Sequence, residues 1–555
     1  MREGLRLVAG RLGHWWAPAA LILLGLLAWR NTLENGFVYD DEVNIVQNEA
    51  LRTLTPLSKF FDPKSSSTDA KMNAGLWRPL TRFVWALDYR LDGLDPKPYH
   101  ATNLLLHLLN ALLVFYLAGM LSANKMGAKG ADSAGASQFQ VLELGPGPSP
   151  WAAFLTALVF LLHPVQVESV AWVNGLSNLL FAFFSLSAFI LFVLHRKTRR
   201  TAGGVLYACS LAAYAFGLLS KETAVVLPVL LLAYSFLFER GADNRSGRVP
   251  WVAVAPYFAL TVGFLILRYA VLGNATMTGN WAGGTVPLLL TMLKAFATYV
   301  RLAVLPHPLS LEYLFPVKRA VDLEVLRGAA LLGGLLFAAF RSRERSPRLS
   351  LAALFFLVPL LPVANILPIE TVLNERFLYL SLVGWGLAAG EALAWMLERG
   401  APARRPAAAT NTCRQVLLPA AVCACLCAAY AAKTIARNET WKDTYSLASE
   451  NLKTCPQSSR LRYAMGKGLA ERGRWAEAIG EYRLTLAIEL YGDKTAEALA
   501  AFDPFEPAEL ARAGEYRKSL QVRVDSGQTL YNIGSAYNRL GESGKAAGYL
   551  ELAKS

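Results

Sequence analysis

The chain has 555 residues, of which 54% are hydrophobic and 17% charged, and its mean hydropathy is +0.32. Soluble globular chains carry about 25% charged residues, so this composition excludes an ordinary soluble protein and describes an integral membrane one. The formal net charge of +14 is gathered in short loops between apolar runs, the pattern of cytoplasmic loops and not of a nucleic-acid surface.

Arg2, Arg6 and Arg11 precede the first apolar run, residues 15–33, which has no small-residue cleavage site behind it and reads as an uncleaved first helix. Directly after it comes NGFVYDDEVNIVQN, residues 35–48, with Asp40, Asp41 and Glu42 adjacent where the chain would leave a bilayer. A carboxylate held at a membrane face yet wet enough to ionise suits a general base. The same three acids also suit a helix cap or an acidic turn. From there to His100 the loop is aromatic and charged, with Phe60, Phe61, Trp77, Arg78, Arg82, Trp85 and Tyr89, as expected of short helices lying along the membrane.

Further apolar runs predict spans at 101–121, 151–162, 170–194, 204–219, 223–238, 251–272, 323–340, 349–362, 377–397 and 415–432, eleven with the first. With the N-terminus inside, this count makes the clusters at Arg196–Arg200, Arg240–Arg248, Arg341–Arg348 and Arg399–Arg405 cytoplasmic. It leaves the acidic stretch and the C-terminal tail outside. One more apolar segment, 286–305, would break that parity by crossing; it carries Lys294 and Arg301, and the expectation is a helix lying in the outer interface, with a twelfth span as the alternative, since the segment is long enough. The segment 124–150, rich in Gly, Ala and Ser, reads as a flexible linker.

By this topology three polar turns face outward together with the acidic stretch. They hold His163, Glu168, Trp172, Asn174 and Asn178; then Ser220, Lys221 and Glu222; then Glu370, Asn374, Glu375 and Arg376. Carboxylates beside Lys221 and Arg376 are what a site needs to hold a lipid phosphate while deprotonating a hydroxyl, since Arg grips phosphate bidentately and Lys adds a point charge. His107, inside an apolar run, reads as a packed, hydrogen-bonded residue. Six cysteines give neither a disulfide framework nor a zinc spacing: Cys423, Cys425 and Cys427 share one apolar run, Cys209 lies in another, and Cys413 and Cys455 are isolated. No metal spacing is present; a divalent cation stays open without residues to support it.

After about residue 430 the chain turns polar and helix-favouring. Gly466, Leu469, Ala478 and Tyr482 stand at the offsets of a tetratricopeptide helix pair, and Gly534, Tyr537, Gly541, Ala546 and Ala553 repeat them. Asp503, Pro504 and Pro507 interrupt the unit between. Stacked pairs of this kind offer a concave surface for a protein or peptide. The reading is therefore an all-α, polytopic membrane protein: a membrane domain over 1–435, with an outer loop at 34–100 and an interfacial helix at 286–305, followed by an extracytoplasmic repeat domain over 436–555.

The ordered motifs FVYDDEVNIVQN, WRPLTRFVWALDYRLDG, PYHATNLLLHLLNALLV, HPVQVESVAWVNGLSNLL, SKETAVVLPVLLL and NERFLYL, followed by the repeats, resemble the transmembrane-and-tetratricopeptide O-mannosyltransferase family of the GT-C glycosyltransferases. The resemblance spans nearly the whole chain and implies transfer of a sugar, usually mannose, from a polyprenyl-phosphate carrier to Ser or Thr hydroxyls of proteins on the extracytoplasmic face. It implies that one of Asp40 and Asp41 is the base and that Lys221 and Arg376 contact the donor phosphate, with Glu42, Arg78, Arg82, His163, Glu168, Glu222 and Glu375 as further site-lining candidates. It implies a multi-pass protein of the plasma membrane in a prokaryote or of the endoplasmic reticulum in a eukaryote, with a cytoplasmic N-terminus. The implied partners are the bilayer, the lipid-linked sugar and a protein bound by the repeats, with no nucleic acid. Two alternatives stand beside this: a glycolipid or polysaccharide acceptor, and a membrane-anchored scaffold without enzyme activity.

Overall fold

The computed structural model describes residues 16–63, 76–123, 150–198, 202–239, 251–273, 281–366, 369, 371–400, 409–491 and 526–554. The expected linker after Ala123, the interruption around Asp503, Glu370 and the basic residues of 240–248 lie outside the described residues. Every regular element among the described residues is helical. In chain order the longer ones are α1 (Trp16–Trp29), α2 (Pro79–Asp92), α3 (Pro96–Ala123), α4 (Pro150–Leu162), α5 (Leu176–Lys197), α6 (Ala202–Ser220), α7 (Leu227–Phe238), α8 (Trp251–Leu272), α9 (Thr285–Val304), α10 (Leu323–Ser342), α11 (Pro347–Leu357), α12 (Ser381–Gly400) and α13 (Ala409–Asn438). Five more follow: α14 (Thr444–Leu452), α15 (Ser459–Glu471), α16 (Trp475–Tyr491), α17 (Ser526–Arg539) and α18 (Ser543–Lys554).

Among the described residues, eight helices are long and apolar enough to cross a membrane. A ninth candidate is the pair of α4 and Pro164–Val170, bent by 47° at His163 and Pro164, and Glu222–Phe238 and Pro347–Val363 are shorter apolar helices. The protein is thus a multi-pass, all-helical membrane protein. Helix α9, expected to lie along the interface, is among the eight by length and composition. Its Lys294 and Arg301 do not set it apart, because two charges in a long apolar stretch leave the remainder as apolar as its neighbours.

Close packing in the membrane unit rests on small residues. Lipid offers no hydrophobic drive between helices, so backbones associate where side chains are small enough for close approach. On α12, Gly386 and Gly390 form a small-xxx-small pair against α4: a Cβ at Gly386 would stand 2.6 Å from the Thr156 carbonyl oxygen, and one at Gly390 2.2 Å from Thr156 Oγ1. Gly384 on the same helix presses on α11, where a Cβ would come 2.3 Å from the Ala352 oxygen. Gly390→Ala is therefore expected to destabilise by about 1–3 kcal/mol. Gly333→Ala on α10, where a Cβ meets nothing within 4 Å, should be neutral or slightly stabilising through helix propensity. Unfolding midpoints of the two variants in one detergent check this, and equal midpoints would refute it.

Several polar groups inside this unit are paired with one another, as apolar surroundings favour. His107 Nδ1 bonds the Tyr379 hydroxyl at 2.8 Å and its Nε2 the Leu161 carbonyl at 3.1 Å. Asn110 donates to the same hydroxyl at 3.1 Å. His107 is thus the packed, hydrogen-bonded residue expected.

The second compact unit is discontinuous, comprising Glu34–Tyr39, Ser310–Leu314 and the described part of Glu439–Ser555. This differs from the single boundary expected near residue 435, and hydrogen bonds give the reason. The Gly36 amide donates to the Lys442 oxygen at 2.9 Å, and the Leu311 amide to Asn451 Oδ1 at 2.7 Å. The Glu312 carboxylate accepts from the Ser458 hydroxyl, and the Cys455 thiol donates to the Glu312 oxygen at 3.0 Å. Further along the chain, the hairpins α15/α16 and α17/α18 share one apolar core that includes Leu469, Ile479, Tyr482, Ile533, Tyr537 and Tyr549. Gly466 and Gly534 let each hairpin close, since a Cβ would meet Tyr482 at 2.6 Å and Leu550 at 2.8 Å respectively.

Candidate active site

Three short turns of the membrane unit, each interrupting an apolar pair of helices, build the site. The first runs from His163 to Gly175. His163 accepts from the Val165 amide at 3.3 Å through Nδ1, and its Nε2–H donates to the Ala303 oxygen at 3.0 Å. Asn103, buried on α3, clamps the same turn through bonds from Nδ2 to the oxygens of Val170 at 3.2 Å and Trp172 at 2.8 Å. Gly175 completes it because a Cβ there would lie 2.3 Å from the Ser169 oxygen. The second turn is Lys221 to Val226, where the extended backbone of Lys221 ends the run of α6. The third is Glu375–Leu378, entered through extended Asn374.

Charged side chains from these turns interlock. The Arg376 backbone amide donates to Glu168 Oε2 at 2.8 Å, and its Nη1 is ion-paired to Glu168 Oε1. Turning the Asn374 amide brings its oxygen to 2.8 Å from Arg376 Nη2. The guanidinium lies over the rings of Trp172 at 5.4 Å and Phe377 at 5.5 Å. Arg78, at the start of α2, takes Glu222 bidentately at 2.7 and 3.1 Å and reaches Ser177 Oγ at 3.4 Å. The Lys221 ammonium donates to Asn178 Oδ1 and lies 5.6 Å over the Phe377 ring. Burial foremost, then the positive charge of Arg78, pushes Lys221 down to about 7.

Asp41 enters this arrangement from the acidic stretch: its fully buried carboxylate accepts from the Asn174 amide at 2.8 Å. Asn174 and Asn178 are four residues apart on a nearly continuous helical path, so the peptide gripped by Asp41 and the side chain gripping Lys221 stand about 6 Å apart along it. Asp40 is half-buried beside Asp41, with its carbonyl accepting from the Asn44 amide at 3.0 Å. Glu42 opens a π-helical turn and accepts from Gln47 at 3.2 Å. Buried Glu375 precedes Arg376 in its turn.

Asp41, Arg78, Glu168, Lys221, Glu222 and Arg376, scattered over more than three hundred residues, are therefore brought together. Two candidates are spent on structure instead. Arg82 donates to the carbonyls of Phe60 and Asp62, holding the loop before α2, and burial lowers it to about 10. His163 has both ring nitrogens on backbone. Sequence reasoning passed over Asn103, Ser177 and Phe377, and it noted Asn178 without a role; the usable signal was an amide inside an apolar run, where an unpaired one is costly. No group of three or more His, Cys, Asp or Glu side chains that could hold a metal ion occurs among the described residues.

The fold and site define a polytopic membrane protein with a buried, charge-lined cluster. No protein-family model matches the chain. It is similar, however, to the protein O-mannosyl-transferase TMTC4 of Mus musculus, with 26% identity over 86% of this chain and 67% of that one. To TMTC1 of Homo sapiens the figures are 24%, 87% and 57%, and to Tmtc3 of Drosophila melanogaster 24%, 84% and 54%. The chain thus resembles the TMTC O-mannosyltransferases along most of its length, and spans between about half and two thirds of the relatives it matches. Among solved structures it is similar to the oligosaccharyltransferase AglB of Archaeoglobus fulgidus (13% identity, 78% of this chain, 56% of that one, TM-score 0.44). It is also similar to ArnT of Cupriavidus metallidurans (14%, 80%, 79%, TM-score 0.37).

Proposed function

We propose that the chain is a GT-C-type glycosyltransferase that moves a sugar, mannose by the names of its relatives, from a polyprenyl-phosphate carrier to Ser or Thr hydroxyls of proteins on the extracytoplasmic face. The observation that carries this reading is the convergence of Asp41 with Lys221, Arg78 and Arg376, in a chain similar along most of its length to proteins named O-mannosyl-transferases. A carboxylate of the Asp40 and Asp41 pair takes the acceptor proton as the hydroxyl oxygen attacks the anomeric carbon. The bond from that carbon to the phosphate oxygen breaks on the opposite face, so configuration inverts. Charge developing on the leaving phosphate falls to Lys221, with Arg376 and Arg78 adding positive potential from their ion pairs. The helix hairpins of the second unit recruit the protein acceptor.

The test is transfer of radiolabelled mannose from polyprenyl-phosphate mannose to protein by the purified full chain in micelles. Label on protein supports the reading, and none with this donor rejects it.

A pH dependence follows. A polyprenyl-phosphate sugar is a monoanion throughout the neutral range, whereas Lys221 titrates near 7. Lys221 is an ammonium below that pH and a neutral amine above it, so kcat/KM for the donor, which reports the free enzyme, should fall as pH rises through about 7. Lys221→Arg keeps its charge and should flatten the alkaline fall; an unchanged profile would remove Lys221 from the donor site.

A further inference from the structure

The three cations of the site are not equivalent. Arg78 is held by Glu222 at 2.7 Å and Arg376 is ion-paired to Glu168, so each of those charges is matched by a carboxylate. Lys221 has no carboxylate within ion-pair distance among the described residues. Its ammonium donates instead to the neutral amide oxygen of Asn178. Asn178 is 2% exposed in the first turn of α5, and its Nδ2 is anchored on the Gly175 oxygen at 3.2 Å. The amide therefore has a defined orientation, oxygen toward lysine.

An amide and a carboxylate place an ammonium equally well, but only the carboxylate consumes its charge. We propose that Asn178 is a positioning residue that fixes the Lys221 ammonium while leaving its charge available to the phosphate of a lipid-linked donor. The inference rests on the donor reading above and assigns a role to Lys221, the cation of this cluster with no carboxylate in ion-pair distance among the described residues. Arg78 and Arg376 would have to leave carboxylates before taking an anion as sole partner, whereas Lys221 can accept one while keeping Asn178. The facing charges are Arg78, Glu222, Arg376 and Glu168; the two pairs cancel locally, and the charge of Lys221 remains.

The experiment is a titration of a short-chain polyprenyl phosphate into the purified full chain in detergent, comparing wild type, Asn178→Asp and Asn178→Ser, each with and without Lys221→Met. Asn178→Asp preserves size and the oxygen facing lysine but loses the Nδ2 bond to the Gly175 oxygen, a structural cost that does not depend on lysine and would therefore persist in the Lys221→Met background. The expected result is weakening of about tenfold or more, because the new carboxylate pairs with Lys221 and repels the phosphate. Asn178→Ser, which loosens the lysine without neutralising it, should weaken binding by about threefold. In the Lys221→Met background both substitutions should cost less than about twofold, the signature of action through lysine in a double-mutant cycle. In turnover, Asn178→Asp should raise the donor KM more than it lowers kcat. If Asn178→Asp does not fold, Asn178→Ser completes the cycle.

Wild-type affinity in a folded Asn178→Asp variant would overturn the inference, as would an undiminished loss in the Lys221→Met background. Absence of binding by wild type itself would overturn the donor reading, and this inference with it.

Discussion

Replacing Asp40 and Asp41 together by Asn is expected to lower kcat for sugar transfer by about 10²–10⁴-fold, the range of a positioned general base, with little change in donor KM. Asn is nearly isosteric with Asp, and its amide oxygen can still accept the Asn174 amide bond that Asp41 makes at 2.8 Å. The loss would then report basicity and not geometry. The two single variants separate the pair, since the base is whichever Asn substitution alone reproduces most of the loss. Buried Asp41 is tethered to the Asn174 amide in the turn before α5, whereas half-buried Asp40 keeps more solvent contact. Those environments suit an orienting role and a proton-accepting one respectively, which predicts the larger single effect at Asp40. Kinetics of all three purified variants decide it. Undiminished transfer by the double variant would end the assignment of either residue as base.

The second large effect is on stability. Arg376 and Glu168 are unequal partners, the arginine side chain 22% exposed and the glutamate 1%. Removing one member of a buried pair costs about 3–5 kcal/mol because the other charge is left uncompensated. The fuller penalty falls where the survivor is the more buried, so Arg376→Leu, which strands Glu168, should approach that figure. Glu168→Gln should cost about 1–3 kcal/mol: its side-chain oxygen still accepts the Arg376 amide, and the guanidinium retains some solvent and the Trp172 face. The double variant Glu168→Gln, Arg376→Leu should recover part of the Arg376→Leu loss. Unfolding midpoints in a single detergent test the order, and a more stable Arg376→Leu than Glu168→Gln would contradict it.

Much of this was legible in the amino-acid order, for a definite reason. Polar residues are expensive in apolar surroundings, so Glu168, Lys221, Glu222 and Arg376, each at a break between apolar runs, needed partners: Glu168 and Arg376 pair with each other, Glu222 takes Arg78 and Lys221 takes Asn178. Composition and run length likewise announced a helical, multi-pass protein. The division of labour was not legible. Nothing local distinguishes Arg82, spent on the carbonyls of Phe60 and Asp62, from Arg78, which reaches Glu222 and Ser177, because both open the same amphipathic helix. Nor could sequence show that Lys221 would face an amide while both arginines took carboxylates, since that depends on which turns meet. Helix α9 exposes a related limit: charge counting decides whether a segment crosses only when every other span is known.

The pieces Glu34–Tyr39 and Ser310–Leu314 are bonded into the C-terminal unit, so that unit is not a cassette. A graft of residues 439–555 onto another membrane protein would arrive without the backbone partners of Lys442 and Asn451 and without the carboxylate beside Ser458. The unit is therefore assembled from three separate stretches of the chain. Tyr39, the last residue of the first piece, has φ +56°, a left-handed conformation uncommon for a non-glycine residue, and its next peptide bond leads to Asp40. The chain thus passes from the second unit into the acid pair with no residue between.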